Sequence, residues 1–198
     1  MCNLYNLKAS PHDIAAAFVA VEALGVALAK DYVSPGRSGL VVTGSAADRQ
    51  LQAMRWGFPP PQGVRNPVVN VRNYVSPFWR SALANPDRRC IVPVTSFQEW
   101  SVDPDPTTGK KRPYWFSVPS RPIFAFAGVW RPTGDAPAYA FLTTGYEDDP
   151  STHLVGAIHP KAMPVVLHEE DYDRWLQAPV EDALTLATPY PSQLMAVL

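Results

Sequence analysis

The chain opens Met1-Cys2. A small second residue permits removal of the initiating methionine. Cys2 would then carry a thiol and a free α-amine on adjacent carbons. The ordinary pKa values, about 8.5 for the thiol and about 7.7–8.0 for the amine, leave a nucleophilic fraction of each near neutrality. Such an aminothiol can attack a carbonyl once, as an N-terminal nucleophile does in amide hydrolysis. It can also condense twice with an aldehyde, amine first and thiol second, closing a five-membered thiazolidine. The same two residues fit an ordinary frayed terminus, so the rest of the chain must distinguish these readings.

Further clusters offer groups that could serve such chemistry. In Phe97-Gln98-Glu99-Trp100 a glutamate sits among large aromatics. Desolvation there would raise its pKa and make it an acid usable near pH 7; an alternating strand pointing Glu99 to water fits equally. His159, in Ile158-His159-Pro160-Lys161-Ala162-Met163-Pro164, is fixed between apolar residues and prolines and suits proton transfer, although a structural histidine is commoner. In Asn70-Val71-Arg72 an amide that both donates and accepts precedes a guanidinium suited to phosphate. Pro35, Trp56, Phe78 and Arg80, in the segments Pro35-Gly36, Met54–Phe58 and Pro77–Arg80, could stack on bases or hold phosphates; core packing of Trp56 is the competing reading. There is no Gly-rich phosphate loop, no His-Glu-x-x-His and no Cys-x-x-Cys. The four histidines are scattered and give no metal set.

The elements that must position these residues are short. Ser10-Pro11-His12-Asp13 predicts a helix start, with Ser10 as cap, and an Ala-rich helix through Ala23. Strands are predicted at Leu40–Thr43, Leu51–Trp56, Val68–Arg72, Arg89–Phe97, Tyr114–Val118, Ile123–Trp130, Ala138–Thr144 and Met163–Leu167, with Tyr114–Val118 and Ile123–Trp130 paired. Helices are predicted at Pro77–Ala84 and Glu169–Leu176. Strands follow one another without regular intervening helices, which argues against a doubly wound α/β sheet. The fold class expected is α+β: mainly antiparallel β, a partly closed barrel-like sheet with short peripheral helices, in a single domain over 1–198.

The 198 residues, 46% hydrophobic and 18% charged, describe a globular chain. Twenty-two prolines predict many tight connections. No run is long enough to span a bilayer, and the apolar stretch 14–29 carries Glu22 and lacks a signal-peptide pattern. Two cysteines, Cys2 and Cys90, make no disulfide framework. Residues 1–131 hold 15 Lys and Arg against 8 Asp and Glu, whereas residues 132–198 hold 2 against 10. The first part could therefore present the basic face that a nucleic acid requires.

Taken in order, Met1-Cys2, Trp56-Gly57, Asn70-x-Arg72, Arg89-Cys90-Ile91-Val92-Pro93 through Phe97-x-Glu99-Trp100, Thr143-Thr144 and Ile158-His159 through Met163-Pro164 resemble the SOS response-associated peptidase (SRAP) family. That family includes an animal protein once named for binding 5-hydroxymethylcytosine. The resemblance covers roughly residues 1–195. It implies a sensor of abasic sites in single-stranded DNA, acting in the DNA-damage response. After self-processing removes Met1, Cys2 would condense with the ring-opened sugar into a stable thiazolidine DNA–protein crosslink. It further implies Glu99 and His159 as proton-transfer groups and Asn70 as the residue orienting the terminus. Arg72 and Thr144 would lie near DNA phosphate, and Pro35, Trp56 and Phe78 would form a wedge against duplex continuation. No metal or organic cofactor is implied; a monomer without a membrane partner is expected, and the lack of a spanning run or signal-peptide pattern places it in the cytoplasm or on the nucleoid as an expectation. The chain departs from the family pattern at Asn3-Leu4, where Gly-Arg is usual, and at Asn73-Tyr74-Val75 after Arg72. Two other readings stay open: an amidohydrolase with an N-terminal cysteine, of the glutamine amidotransferase kind, and a noncovalent DNA-binding module.

Overall fold

The computed structural model describes residues 2–23, 25, 27, 30–134 and 136–198; Met1 and part of the apolar run after Ala23 lie outside them. In chain order the strands are β1 (Tyr5–Asn6), β2 (Val21–Glu22), β3 (Tyr32–Val33), β4 (Ser38–Thr43), β5 (Gln50–Trp56), β6 (Asn70–Val71), β7 (Arg89–Val94), β8 (Ser96–Pro104), β9 (Lys111–Ser117), β10 (Phe124–Arg131), β11 (Ala138–Thr144), β12 (Met163–Pro164), β13 (Val166–Leu167) and β14 (Ala196–Val197). The helices are α1 (Pro11–Ala17), α2 (Pro77–Ala84), α3 (Tyr172–Gln177) and α4 (Val180–Leu184).

Five strands close on themselves. β4 pairs with β5 and β7, β7 with β10 and β10 with β11, all antiparallel. β11 then returns to β5 in parallel through Ala138↔Arg55 and Tyr139↔Trp56. The expected barrel-like, mainly antiparallel α+β architecture is present, and the β5–β11 pairing closes the barrel completely. A second sheet, in the order β14-β9-β8-β1-β3, packs against it.

Continuous apolar runs explain the barrel. All six residues of β7 are buried, as are Phe124 to Val129 of β10. Tyr5 of β1 enters the barrel interior, its ring 5.3 Å from Trp56 and 6.3 Å from both Phe126 and Phe141. Its hydroxyl shares a 2.5 Å hydrogen bond with the Tyr139 hydroxyl. Gly39 makes room for that pair, since a Cβ there would meet both hydroxyl oxygens.

Several local expectations are corrected. α1 begins as expected, with Ser10 Oγ accepting the Asp13 amide at 3.1 Å, but it ends at Ala17 rather than Ala23. Val19 takes a left-handed φ of 50°, which stops the helix, and Val21–Glu22 pairs with β5 instead. The run Arg89–Phe97 is two strands, because the chain leaves the barrel at Thr95 and enters the second sheet. The predicted partners Tyr114–Val118 and Ile123–Trp130 do not pair with each other. β8 hairpins directly into β9 through a turn whose Asp105 carboxylate accepts the Thr107 and Thr108 amides, and β10 goes to β7. Met163–Leu167 divides at Val165, whose amide donates to the Leu142 carbonyl. The expected helix from Glu169 opens with a 3-10 turn, Glu169–Asp171, before α3. α2 matches its predicted bounds and is capped by Ser76.

Candidate functional site

The terminus is delivered to Glu99 by strand register. β1 pairs antiparallel with β8 through Tyr5↔Phe97 and Asn6↔Ser96, and the Gln98 amide continues the ladder to the Leu4 carbonyl at 3.0 Å. Moving from Tyr5 toward Cys2 therefore moves from Phe97 toward Glu99 and Trp100. Cys2 is fully buried, with Sγ 3.4 Å from the Leu4 carbonyl. Its own carbonyl accepts a 3.0 Å hydrogen bond from Asn70 Nδ2. Asn70 can reach it because β6 lies parallel to β11, with Asn70 opposite Phe141.

Glu99 is fully buried, and desolvation pushes its carboxyl from 4.5 up to about 7. The nearby Cys2 amide partly offsets that rise. His159 Nε2 stands 3.7 Å from Glu99 Oε2, while its Nδ1 lies 3.2 Å from the Trp100 carbonyl. A carbonyl can only accept, so Nδ1 carries the proton of the neutral ring and Nε2 presents its lone pair toward Glu99. Burial also pushes the His159 pKa down. The Cys2 thiol is pushed far up, first by burial and then by the Glu99 charge. Near pH 7 the pocket thus holds a carboxyl poised to give or take a proton, a neutral imidazole and a protonated thiol.

The expected DNA contacts divide. Pro35, Arg72 and Arg80 are exposed, and Phe78 and Thr144 are half-buried. Arg72 Nη2 donates to the Lys161 carbonyl at 2.8 Å, tying the β6 end to the His159 segment. The Phe78 ring meets Trp79 edge-on at 4.7 Å and carries the Arg131 guanidinium at 5.0 Å. Trp56 is corrected: it is fully buried, stacks on Phe141 at 5.1 Å and donates Nε1 to the Val69 carbonyl at 3.1 Å. No face of that ring is open to a base. Beside it Gly57 has φ 115°, and a Cβ would run into Pro67 at 2.7 Å, so only glycine lets the 58–68 excursion leave β5 here. The structure therefore gathers Cys2, Asn70, Glu99 and His159 at one point and sets Arg72 beside them. Trp56 belongs to the packing beneath.

The description SOS response associated peptidase (SRAP) matches the chain over residues 1–198. The chain belongs to the SRAP family. It is 29% identical over 151 residues to "Abasic site processing protein YoqW" of Bacillus subtilis (strain 168), a match covering 73% of this chain and 65% of the relative. "Abasic site processing protein YobE" of the same organism is also 29% identical, with 73% and 66% covered. The chain thus spans about two thirds or slightly less of these relatives' length. A crystal structure of a protein from Bordetella bronchiseptica superposes with TM-score 0.79 at 25% identity, over 99% of this chain and 98% of that one. Another from Bacteroides thetaiotaomicron shares the fold with TM-score 0.79 at 21% identity, over 99% and 90%.

One residue of this SRAP chain at the site, Tyr146, escaped the sequence reading, and Tyr74 entered it only as part of a departure from the family pattern. Tyr146, half-buried just beyond β11, points its hydroxyl at the His159 carbonyl, 3.4 Å away, and packs its ring 5.0 Å from His153. Tyr74 donates to the Thr143 carbonyl at 2.8 Å and holds the loop after Arg72 against β11. An aromatic directly after Thr143-Thr144-Gly145 was the available signal for Tyr146. Among the described residues no group of three His, Cys, Asp or Glu side chains could hold a metal ion, and no helix is long and apolar enough to cross a membrane.

Proposed function

We propose that this protein captures abasic sites in single-stranded DNA covalently, through Cys2 after removal of Met1. The observation that carries the reading is the convergence of Glu99, His159 and the Asn70-clamped Cys2 in one buried pocket. The relatives' names, which specify abasic-site processing, supply the electrophile: a deoxyribose hemiacetal that opens to an aldehyde. Hydrolysis of the Met1–Cys2 amide by one water frees the amine, the only peptide cut this chemistry requires. The amine adds to the aldehyde and water leaves, giving a Schiff base. The thiol then adds across the C=N bond and its proton passes to nitrogen, so aldehyde plus aminothiol becomes thiazolidine plus water. Glu99, near its midpoint at neutral pH, passes protons during ring opening and loss of water. His159 Nε2 is the second proton carrier. Asn70 fixes the Cys2 carbonyl, and with it the direction of the amine.

A raised thiol pKa agrees with this order of events. The thiol stays protonated until the Schiff base forms. The amidohydrolase reading requires the opposite, a thiolate at the outset.

The test is intact mass of the protein after incubation with a single-stranded oligonucleotide bearing one abasic site. The expected species has lost Met1 and gained the oligonucleotide less one water; Cys2→Ala gains nothing. A wild-type protein lacking Met1 that forms no adduct would overturn the proposal, and salt-sensitive binding without an adduct would leave a noncovalent DNA-binding module.

A further inference from the structure

The loop between β11 and β12 carries two of the chain's four histidines, His153 and His159. His159 faces Glu99. His153 is half-buried farther back in the loop, and both of its ring nitrogens meet backbone groups. Nε2 lies 2.8 Å from the Tyr190 carbonyl. Nδ1 accepts the Val155 amide at 3.1 Å, with the Gly156 amide at 3.5 Å. A carbonyl can only accept and an amide N–H can only donate, so Nε2 carries the ring proton and Nδ1 the lone pair. This is the opposite tautomer from His159, whose Nδ1 faces the Trp100 carbonyl.

The Val155 amide matters because of what Val155 holds in turn. Its carbonyl accepts the His159 amide at 2.8 Å and the Ile158 amide at 3.1 Å. A chain of contacts thus runs from the His153 ring through the Val155 peptide groups to the His159 backbone, and from the His159 ring to Glu99, 3.7 Å away. Val155 is fully buried, so its amide has no solvent partner to replace Nδ1. The rest of the turn is held closely. The His153 carbonyl accepts the Ala157 amide at 2.8 Å, and the Leu154 amide donates to Ser192 Oγ at 2.9 Å. Gly156 packs on Pro150, where a Cβ would run into the Pro150 carbonyl. The Tyr146 ring, packed on His153, directs its hydroxyl to the His159 carbonyl. Through Tyr190 and Ser192 the turn is also tied to the C-terminal segment.

We propose that His153 is a positioning residue for His159: its Nδ1 fixes the Val155 peptide, and through it the place of the His159 ring beside Glu99. A misplacement of about 1 Å far from the chemistry can cost about 10²-fold in rate, and close packing passes such a shift along the loop rather than absorbing it. The proposal rests on the abasic-site reading only for the claim that His159 carries a proton.

Two substitutions divide the ring's bonds. His153→Asn puts a side-chain oxygen where Nδ1 stands and can cap the Val155 amide as in an Asx turn, but it does not reach Tyr190. His153→Gln puts a donor where Nε2 stands and reaches Tyr190, but it leaves the Val155 amide bare. Each loses a hydrogen bond, so a merely structural histidine would make the two variants alike, and this pair decides even where His153→Ala does not fold. His153→Asn is expected to form the abasic adduct at about the wild-type rate. His153→Gln and His153→Ala form it about 10- to 10²-fold more slowly, with unchanged affinity for undamaged single-stranded DNA. In a His159→Ala background, His153→Ala adds no further slowing. Independently of any adduct, the proton–nitrogen correlation spectrum of the His159 ring shows a protonated Nδ1 in wild type and His153→Asn, and its signals move in His153→Gln. Equal adduct rates in the Asn and Gln variants, additive slowing with His159→Ala, or His159 ring signals indifferent to His153→Gln would overturn the proposal. A wild type that forms no adduct would remove the abasic-site reading, and the ring signals would still decide the role of His153.

Discussion

Replacing Glu99 by glutamine separates the carboxyl's cost to the fold from its service to the chemistry. Glu99 is fully buried and its folded pKa is raised from 4.5 to about 7. A raised carboxyl pKa means that the folded state holds a proton the unfolded chain has already lost. Stability therefore falls as pH rises from about 4.5 to about 7 and is level beyond. At about 1.36 kcal/mol per pH unit, the ionised carboxylate costs the fold roughly 3 kcal/mol at pH 8. His159 offers little relief, since burial pushes its pKa down and leaves it neutral there. Gln has the shape of the protonated acid without its titration. Glu99→Gln should match the wild type at pH 4.5 and exceed it at pH 8 by roughly 3 kcal/mol, or about 6–12 °C in Tm for a chain of this size. The same variant should form the abasic adduct about 10²–10⁴-fold more slowly, having lost its proton-transfer group. Thermal melts at the two pH values, with a gel assay for adduct rate, test both halves. A Tm difference that is the same at pH 4.5 and pH 8, or a variant less stable at pH 8, would refute the desolvation argument.

Other perturbations follow from the same geometry. His159→Ala should slow adduct formation by about 10²–10⁴-fold while undamaged single-stranded DNA binds as before, and the pH–rate profile should lose one of its limbs; an unchanged profile would reduce His159 to a structural role. Asn70→Ala leaves the Cys2 carbonyl without its donor at a cost of about 1–3 kcal/mol, read as a roughly 5- to 150-fold slower adduct at unaltered DNA affinity. Trp56→Ala should destabilise the fold by about 3–5 kcal/mol in denaturant melts, as expected of a buried barrel residue. Phe78→Ala should instead weaken single-stranded DNA binding by about 1–3 kcal/mol; a large stability loss there with no effect on DNA would reverse the assignments of the two aromatics.

Much of the barrel was legible because its strands are short apolar runs, as at Ala138–Thr144, or short alternating ones, as at Leu51–Trp56, bounded by glycine, proline and polar residues. The burial of Trp56 was legible too: Met54 and Trp56 share one face of β5 and Arg55 the other, so base-stacking by Trp56 conflicts with the alternation. What a strand pattern could not show was which sheet receives it. Arg89–Phe97 reads as one run, yet the chain changes sheets at Thr95, where the Thr95 amide donates to the Asn6 carbonyl at 2.9 Å. The state of Glu99 hung on that step. Phe97 and Glu99 share one face of β8, and Ser96 through Glu99 are all buried: Phe97 packs on Phe124 and Phe126 of the barrel, while Glu99 meets the Cys2 amide and His159. The Asn70–Cys2 and Tyr146–His159 contacts depend on the closed β5–β11 seam and on a loop folded back on itself. No local signal announces either.

The burial that conceals the cysteine also constrains how it can act. Desolvation disfavours charge on every group in the pocket, raising the thiol and carboxyl and lowering the imidazole. A mechanism that begins with a charged nucleophile would meet that penalty at its first step. One that begins with a neutral amine would meet it only as a proton moves, and in the proposed chemistry Glu99 and His159, whose facing atoms are 3.7 Å apart, would carry that proton. The pocket thus favours an electrophile that an uncharged amine can attack, and an aldehyde is such a group whereas an unactivated amide is not. In the proposed chemistry the thiol, still protonated, would react only after the C=N bond exists, and its proton would be the one the new ring nitrogen requires. On this argument Cys2→Ser should still form the Schiff base, trapped by borohydride reduction, but no adduct that withstands heat without it. A heat-stable adduct from Cys2→Ser would show that the thiol is not what closes the ring.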